Sequence, residues 1–353
     1  MSHPYRQLSK KQFWSSAMLA PAPGHVDPVL GEFPQISKTD RIATMGSCFA
    51  QHISANLSQG GYNYYVTETS PVGINSEDSK KQNYGVFSAR YGNVYTVKQA
   101  LQLLQRSFGE KEFESNIWNF QNCLVDAFRP NIQPKGFKSE SALIKDRIRH
   151  LKCVKDLFMN CDWFIFTLGL TEAWRSKSDH SVFPLAPGVH GGSFDPALHE
   201  FVNFKTPDVI EDLSAFVKQI QSVNKKVQII LTVSPVALMA TYEKNHVLAS
   251  NIYSKAVLRV AAEEVSSSFK KVHYFPSFEI ITSPANQCRY IDDDLRSIKP
   301  VGVSHVMRIF RKHFMHGGSE NEEYLPSPHL GGVVNDSDVV CDEELIEKSL
   351  RNI

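Results

Sequence analysis

The sequence predicts a doubly wound α/β fold: a mostly parallel five-stranded sheet with helices on both faces, a three-layer sandwich, plus insertions. Three observations carry this. Short apolar runs recur along the chain, and two central ones, WFIFTL and VQIILTV, are apolar without alternation, as strands covered on both faces are. Segments with helical apolar spacing and end signals lie between the runs. Gly, Ser and Glu residues follow the runs directly, at the strand ends where such sheets place their sites.

The elements follow in chain order. Residues 1–38 are polar, rich in Pro and without periodicity, and read as an arm over the surface. Arg41–Met45 is the first strand. Phe49–Gln59 has Phe49, Ile53 and Leu57 four apart and stops at Gly60-Gly61, so it is a helix. Tyr62–Val66 reads as the second strand. Residues 67–135 carry turn signals and one helix, Val97–Ser107, capped by Thr96. A long helix spans about Ser139–Met159, and Trp163–Leu168 is the third strand. Residues 175–205 form a second insertion. Thr206 caps a helix with Pro207 at its first position, running to Val223. Val227–Val233 is the fourth strand, Asn245–Phe269 a helix, Val272–Phe275 the fifth strand, and Pro300–Phe314 the last helix. One α/β domain, 39–315, thus lies between the arm and an acidic tail, 316–353, expected to be solvated.

Composition removes several function classes. The formal net charge of +1 gives no field for nucleic acid or an anionic membrane surface. The start, MSHPYRQLSKKQFW, lacks the apolar core of a signal peptide, and no run approaches the ~20 apolar residues that span a bilayer. The six cysteines are scattered with no C-x-x-C pair, which speaks for reduced thiols, against zinc, and for a cytoplasmic protein. No phosphate loop or dinucleotide fingerprint is present, and no cofactor is expected. The oligomeric state stays open.

Ser47 follows the first strand and precedes a helix, so its hydroxyl would sit on an exposed turn beside free backbone N–H groups. Such a serine can be a nucleophile, given a base and an orienting acid. Equally, it can simply cap the helix. Cys48 is either a rival nucleophile or a small apolar residue under the turn.

Residues 46–50 read Gly-Ser-Cys-Phe-Ala. With Phe87–Thr96, Phe166–Trp174, Leu231–Val236, Phe275–Ile281 and Gly302–Met307, they resemble the ordered blocks of the GSCFA family. That family in turn is similar to the SGNH/GDSL hydrolases, whose sandwich is flavodoxin-like. The resemblance implies Ser47 as nucleophile, with its own N–H as one oxyanion donor. It implies a glycine donor, Gly92 or Gly73, of which Gly92 is preferred. Where the third block reads G-x-N-D, this chain has Gly169-Leu170-Thr171-Glu172, so Thr171 replaces the Asn donor and Glu172 takes a different part. The last block places an Asp three residues before a His. Here Asp292-Asp293-Asp294 is followed by Leu295-Arg296-Ser297, and the nearest histidine is His305. The expectation is His305 as base and Asp294 as its acid, with a Ser-His dyad aided by Glu279 if the aspartates do not reach.

Other residues divide between roles. Asp126 and Arg129 form a structural ion pair or meet an anionic substrate. His180, His190 and His199 have no helical metal spacing and belong to a surface or substrate-covering loop. Asn251 and Lys255, one turn apart, either cap or brace the helix or take part in catalysis, the first being the expectation. The expected activity is that of an acyl-ester hydrolase or an O-acyltransferase, acting on a small ester or an acylated glycan. The other class is a non-catalytic glycan-binding or assembly module on the same scaffold.

Overall fold

The computed structural model describes residues 3–22, 24–114, 117–317, 339 and 341–350. In chain order, strand β1 is Ile42–Gly46, and the helices α1, α2 and α3 are Phe49–Gln59, Ser76–Lys81 and Val97–Ser107. The hairpin strands β2 and β3 are Ile117–Phe120 and Cys123–Asp126, followed by α4 at Glu140–Asn160 and β4 at Trp163–Leu168. Then come β5 (Glu172–Ser176), β6 (Val182–Phe183) and β7 (His199–Asn203). The last part holds α5 (Thr206–Val223), β8 (Gln228–Val233), α6 (Val247–Ser268), β9 (Val272–Tyr274), α7 (Ser277–Thr282), α8 (Pro300–Phe314) and α9 (Glu344–Leu350).

The main sheet is parallel, in the order β1-β4-β8-β9, so among the described residues it has four strands where five were expected. The expected second strand, 62–66, reaches β1 only through the bridge Ile42↔Tyr64. The Tyr64 N–H turns back to the Tyr62 carbonyl, and Thr67 donates to Ser88, which leads the chain off the edge of β1.

Alternation along the strands sorts the core into two layers. Met45, Phe166 and Leu231 face α3, α4, α5 and α6 through residues such as Leu104, Leu157, Phe216 and Leu258. Ile42, Ile165 and Ile230 face α1, α7 and α8, with Val29 and Ile36 of the arm packed there too. Helices therefore cover both faces. Between β1 and β4 the chain switches faces, the place where ligand crevices open in such sheets.

Helix ends follow their caps. Thr96 and Gln99 form a reciprocal capping box at α3, and Ser139 caps α4. At α5 the cap is Lys205, one residue before the expected Thr206, because Asp208 accepts the Lys205 N–H. The second insertion forms a small antiparallel sheet, β6-β5-β7. The first is tied to α4 by buried charges. Arg129 meets Asp126 at 3.1 Å and Asp146 at 2.6 Å, and His150 meets Glu68 at 2.7 Å. Burial alone would raise the Glu68 pKa, but the hydrogen bonds of His150 and the Arg90 N–H, with the Arg129 charge, outweigh it and hold the carboxyl below its ordinary range. Asp126 and Arg129 thus act as a structural ion pair.

Candidate active site

The turn after β1 is set by Gly46. Its φ of +139° suits glycine, and a Cβ there would lie 2.8 Å from both the carbonyl carbon and the Cβ of Thr167. This close approach aligns the ends of β1 and β4. Ser47 follows, 3% exposed, and its Oγ has no hydrogen-bond partner. Orphaned buried hydroxyls ask for a reason, and Thr167, Ser181 and Ser250 share the condition with Ser47. The Ser47 N–H is not free, however. It donates to the Thr167 carbonyl at 3.1 Å, because the strand pairing continues one residue past Gly46. The expected backbone oxyanion donor is therefore already spent.

Gly169, at the end of β4, packs on the same turn. A Cβ on it would lie 3.1 Å from Ser47 Cβ and 2.9 Å from the Tyr95 carbonyl. Its N–H and that of Leu170 both donate to Tyr95. Thr171 is fully buried and fills no donor role toward Ser47. Its hydroxyl donates to Asn203 at 2.7 Å, and its N–H donates to Ser254 Oγ. Glu172 accepts from Thr241 Oγ and the Tyr242 N–H, so it braces the segment after β8, and burial raises its pKa. Gly92, with φ +74° and open space at its Cβ position, borders a narrow cleft with Asn93, Asn131 and Asp342.

The expected pairing of His305 with Asp294 does not form. His305 lies on α8 with Nδ1 at 2.8 Å from the Tyr290 hydroxyl, and its Nε2 is without a partner. Burial, with Arg308 nearby, pushes the His305 pKa down to about 4. Asp294 instead closes its own turn, accepting from Ser297 Oγ at 2.6 Å and from the N–H groups of Arg296 and Ser297. Glu279 does not serve Ser47 either, for it is held by Arg259 and Tyr274.

What the fold does bring to the turn is a different set. Lys255 of α6 is 1% exposed and donates to the Gly169 carbonyl at 2.8 Å. Burial pushes its pKa down to about 8, against the pull of Glu343 and Cys48. Arg296 donates to the Ala237 carbonyl, to Cys341 Sγ and to Glu343. Asn93 sits beside the turn, since Val94 donates to the Gly46 carbonyl and Gln51 Nε2 donates to Asn93 Oδ1.

The acidic tail was expected in solvent, yet Asp342 and Glu343 are only 5% and 6% exposed. Asp342 accepts from Asn93 at 3.0 Å and Asn131 at 2.6 Å, and its N–H donates to the Tyr95 hydroxyl. Glu343 accepts from Arg296 and the Met239 N–H. Burial raises both carboxyls. The neighbouring Cys48 thiol and Arg296, whose Nη2 donates to Cys341 Sγ, together pull Cys341 down to about 7 against burial, while Cys48 is pushed well up. Residues 318–338, 340 and 351–353 of the tail lie outside the described residues.

Beyond Leu170, a cavity of about 280 Å³ opens between the small sheet and the segment after β8. Trp174, Phe201, Tyr242 and Leu185 line it, and Glu172, Glu343 and Ile346 close one side. Among the described residues, no group of three or more His, Cys, Asp or Glu side chains is placed to hold a metal, and no helix is long and apolar enough to cross a membrane.

Arg296 carries no local signal in the sequence, and Lys255 is expected there as a cap or brace. Lys255 did carry a signal, since it shares the buried stripe of α6 with Leu258 and Ala262.

The GSCFA family profile matches residues 41–310. No curated protein gives a match. A solved structure from Streptococcus pneumonia, provisionally assigned as a platelet activating factor, shares 15% identity. The overlap covers 49% of this chain and 66% of that one, with a TM-score of 0.28, and carries no argument about activity.

Proposed function

The chain belongs to the GSCFA family, and on that premise we propose that it is a serine-dependent acyl-ester hydrolase or O-acyltransferase of the SGNH type, acting through an acyl-enzyme on Ser47. The observation that carries the reading is the buried Ser47 Oγ, unpartnered on a turn that only glycine at 46 allows. In this mechanism Ser47 Oγ attacks the ester carbonyl, and Lys255, neutral and turned from the Gly169 carbonyl that it holds at rest, takes its proton. The C–O bond to the alcohol then breaks, and the alcohol leaves with that proton. Water or a sugar hydroxyl attacks the acyl-enzyme by the reverse sequence. With Thr171 and the Ser47 N–H committed elsewhere, the oxyanion donor is the Asn93 amide, beside Gly92. The aromatic wall of the 280 Å³ cavity suits a sugar face or a short acyl group. His305 and Asp294 take no part.

A second reading, a non-catalytic glycan-binding module, draws on one fact: the His305 ring is engaged by Tyr290 and serves no serine. Fluorophosphonate labelling with intact-mass readout separates the two. The hydrolase reading expects one adduct, absent in Ser47→Ala, slowed in Lys255→Met and retained in His305→Gln. No adduct in the wild type or in a full-length Asp342→Ala/Glu343→Ala chain, under conditions that label a control hydrolase, would overturn the hydrolase reading and favour the binding module.

A further inference from the structure

Acidic side chains near a chain end ordinarily stay in water, because burying a carboxyl costs free energy unless hydrogen bonds replace its hydration. Here two consecutive ones are buried and both are compensated. The partners come from separate parts of the chain: Asn93 and Asn131 for the Asp342 carboxyl, and Arg296 and the Met239 N–H for Glu343. The backbone is read too, through the Asp342 N–H on the Tyr95 hydroxyl. Side-chain and main-chain contacts over three residues amount to recognition of a peptide, not casual lodging of a tail. Taken away, the segment would leave amide and guanidinium donors converging in a cleft beside the Ser47 turn, the usual make-up of a ligand site.

We propose that this cleft is a recognition site for an acidic peptide segment, filled in cis by the chain's own Cys341-Asp342-Glu343, and that the segment keeps Ser47 closed. The recognition stands apart from any chemistry; only the closure rests on the hydrolase reading. Asn93, the oxyanion donor of that reading, is occupied by Asp342, so the docked segment and an acyl substrate compete for one group.

The test uses the full-length chain. Hydrogen exchange of the wild type should show protected amides over 341–343, lost in Asp342→Ala/Glu343→Ala. A fluorescein-labelled peptide of residues 339–350 should bind that double variant. The peptide carrying Asp342→Asn and Glu343→Gln should bind roughly tenfold more weakly, as expected for losing several buried hydrogen bonds. Fluorophosphonate labelling of Ser47 should be faster in the double variant and slow again when the peptide is added. Unprotected amides in the wild type, or a peptide that does not bind or is indifferent to the substitutions, would overturn the recognition. Peptide binding with unchanged labelling would overturn the closure alone. Absence of labelling in every chain, with peptide binding intact, would count against the hydrolase and leave the recognition site standing.

Discussion

Lys255 and Gly169 are joined by a 2.8 Å hydrogen bond from Lys255 Nζ to the Gly169 carbonyl, which ties the long helix α6 to the end of β4. The same bond holds a buried amine next to the glycine that packs on Ser47.

That burial gives Lys255 a pH signature. Its pKa in the folded chain is about 8, below the ordinary 10.5, so the unfolded chain binds more protons between those values. Stability therefore rises with pH through that window, and the penalty of the buried charge is constant below it. Relative to Lys255→Met, the wild type should gain on the order of 3 kcal/mol between about pH 8 and 10.5. Urea unfolding of both chains across that range checks it. A flat difference would mean that the amine is solvated.

Gly46→Ala should be among the most destabilising small substitutions in the chain. The added Cβ meets Thr167 backbone, which cannot move without parting β1 from β4, and φ of +139° is strained for alanine. The expected loss is more than about 3 kcal/mol. Gly92→Ala, with open space at its Cβ position but also a positive φ, should cost only about 1 kcal/mol. Equal losses in urea unfolding would contradict the close approach.

How much of this was legible in the sequence depends on range. The unalternating runs gave β4 and β8, because a strand covered on both faces leaves no polar positions. Tyr62–Val66 has the same composition as an edge strand, yet one local hydrogen bond, Tyr64 to Tyr62, and one distant one, Thr67 to Ser88, end its pairing, and no periodicity records that. The Gly-Ser turn was legible because the close approach at 46 needs glycine. The contact of Asn93 with Asp342 spans 249 residues and leaves no local pattern, so an acidic tail was read as solvated. His305 drew notice as the nearest histidine to the aspartates. Its position on α8, facing Tyr290, is decided by packing.

His305 should report on acid stability and not on labelling. Its pKa is about 4 in the folded chain against 6.5 when free, so the unfolded chain takes up the extra proton and stability is lost as pH falls from 6.5 to 4. The loss is on the order of 3 kcal/mol. His305→Gln should flatten that slope, at a cost of about 1 kcal/mol near neutral pH for the Tyr290 hydrogen bond. The slope is read as the difference between the two chains in urea. An unaltered slope would place the acid-sensitive group elsewhere, His150 being the next candidate, since burial holds its pKa below the ordinary 6.5.

Cys48 and Cys341 should form a disulfide under mild peroxide. Cys341 is the thiol that ionises first, at about pH 7, because the neighbouring Cys48 thiol and the Arg296 guanidinium that donates to its Sγ favour the thiolate. Its thiolate attacks peroxide, leaving a sulfenic acid and hydroxide, and Cys48 then displaces the hydroxyl as water to close the S–S bond. Cys48 is too deeply buried to react first. The bond would fasten the acidic segment over the residue next to Ser47. Non-reducing peptide mapping should find the 48–341 link, and fluorophosphonate labelling of the oxidised chain should fall below that of the reduced one. Oxidation confined to the exposed Cys288, with Cys341 left free, would show that the segment is not seated against Cys48 in solution.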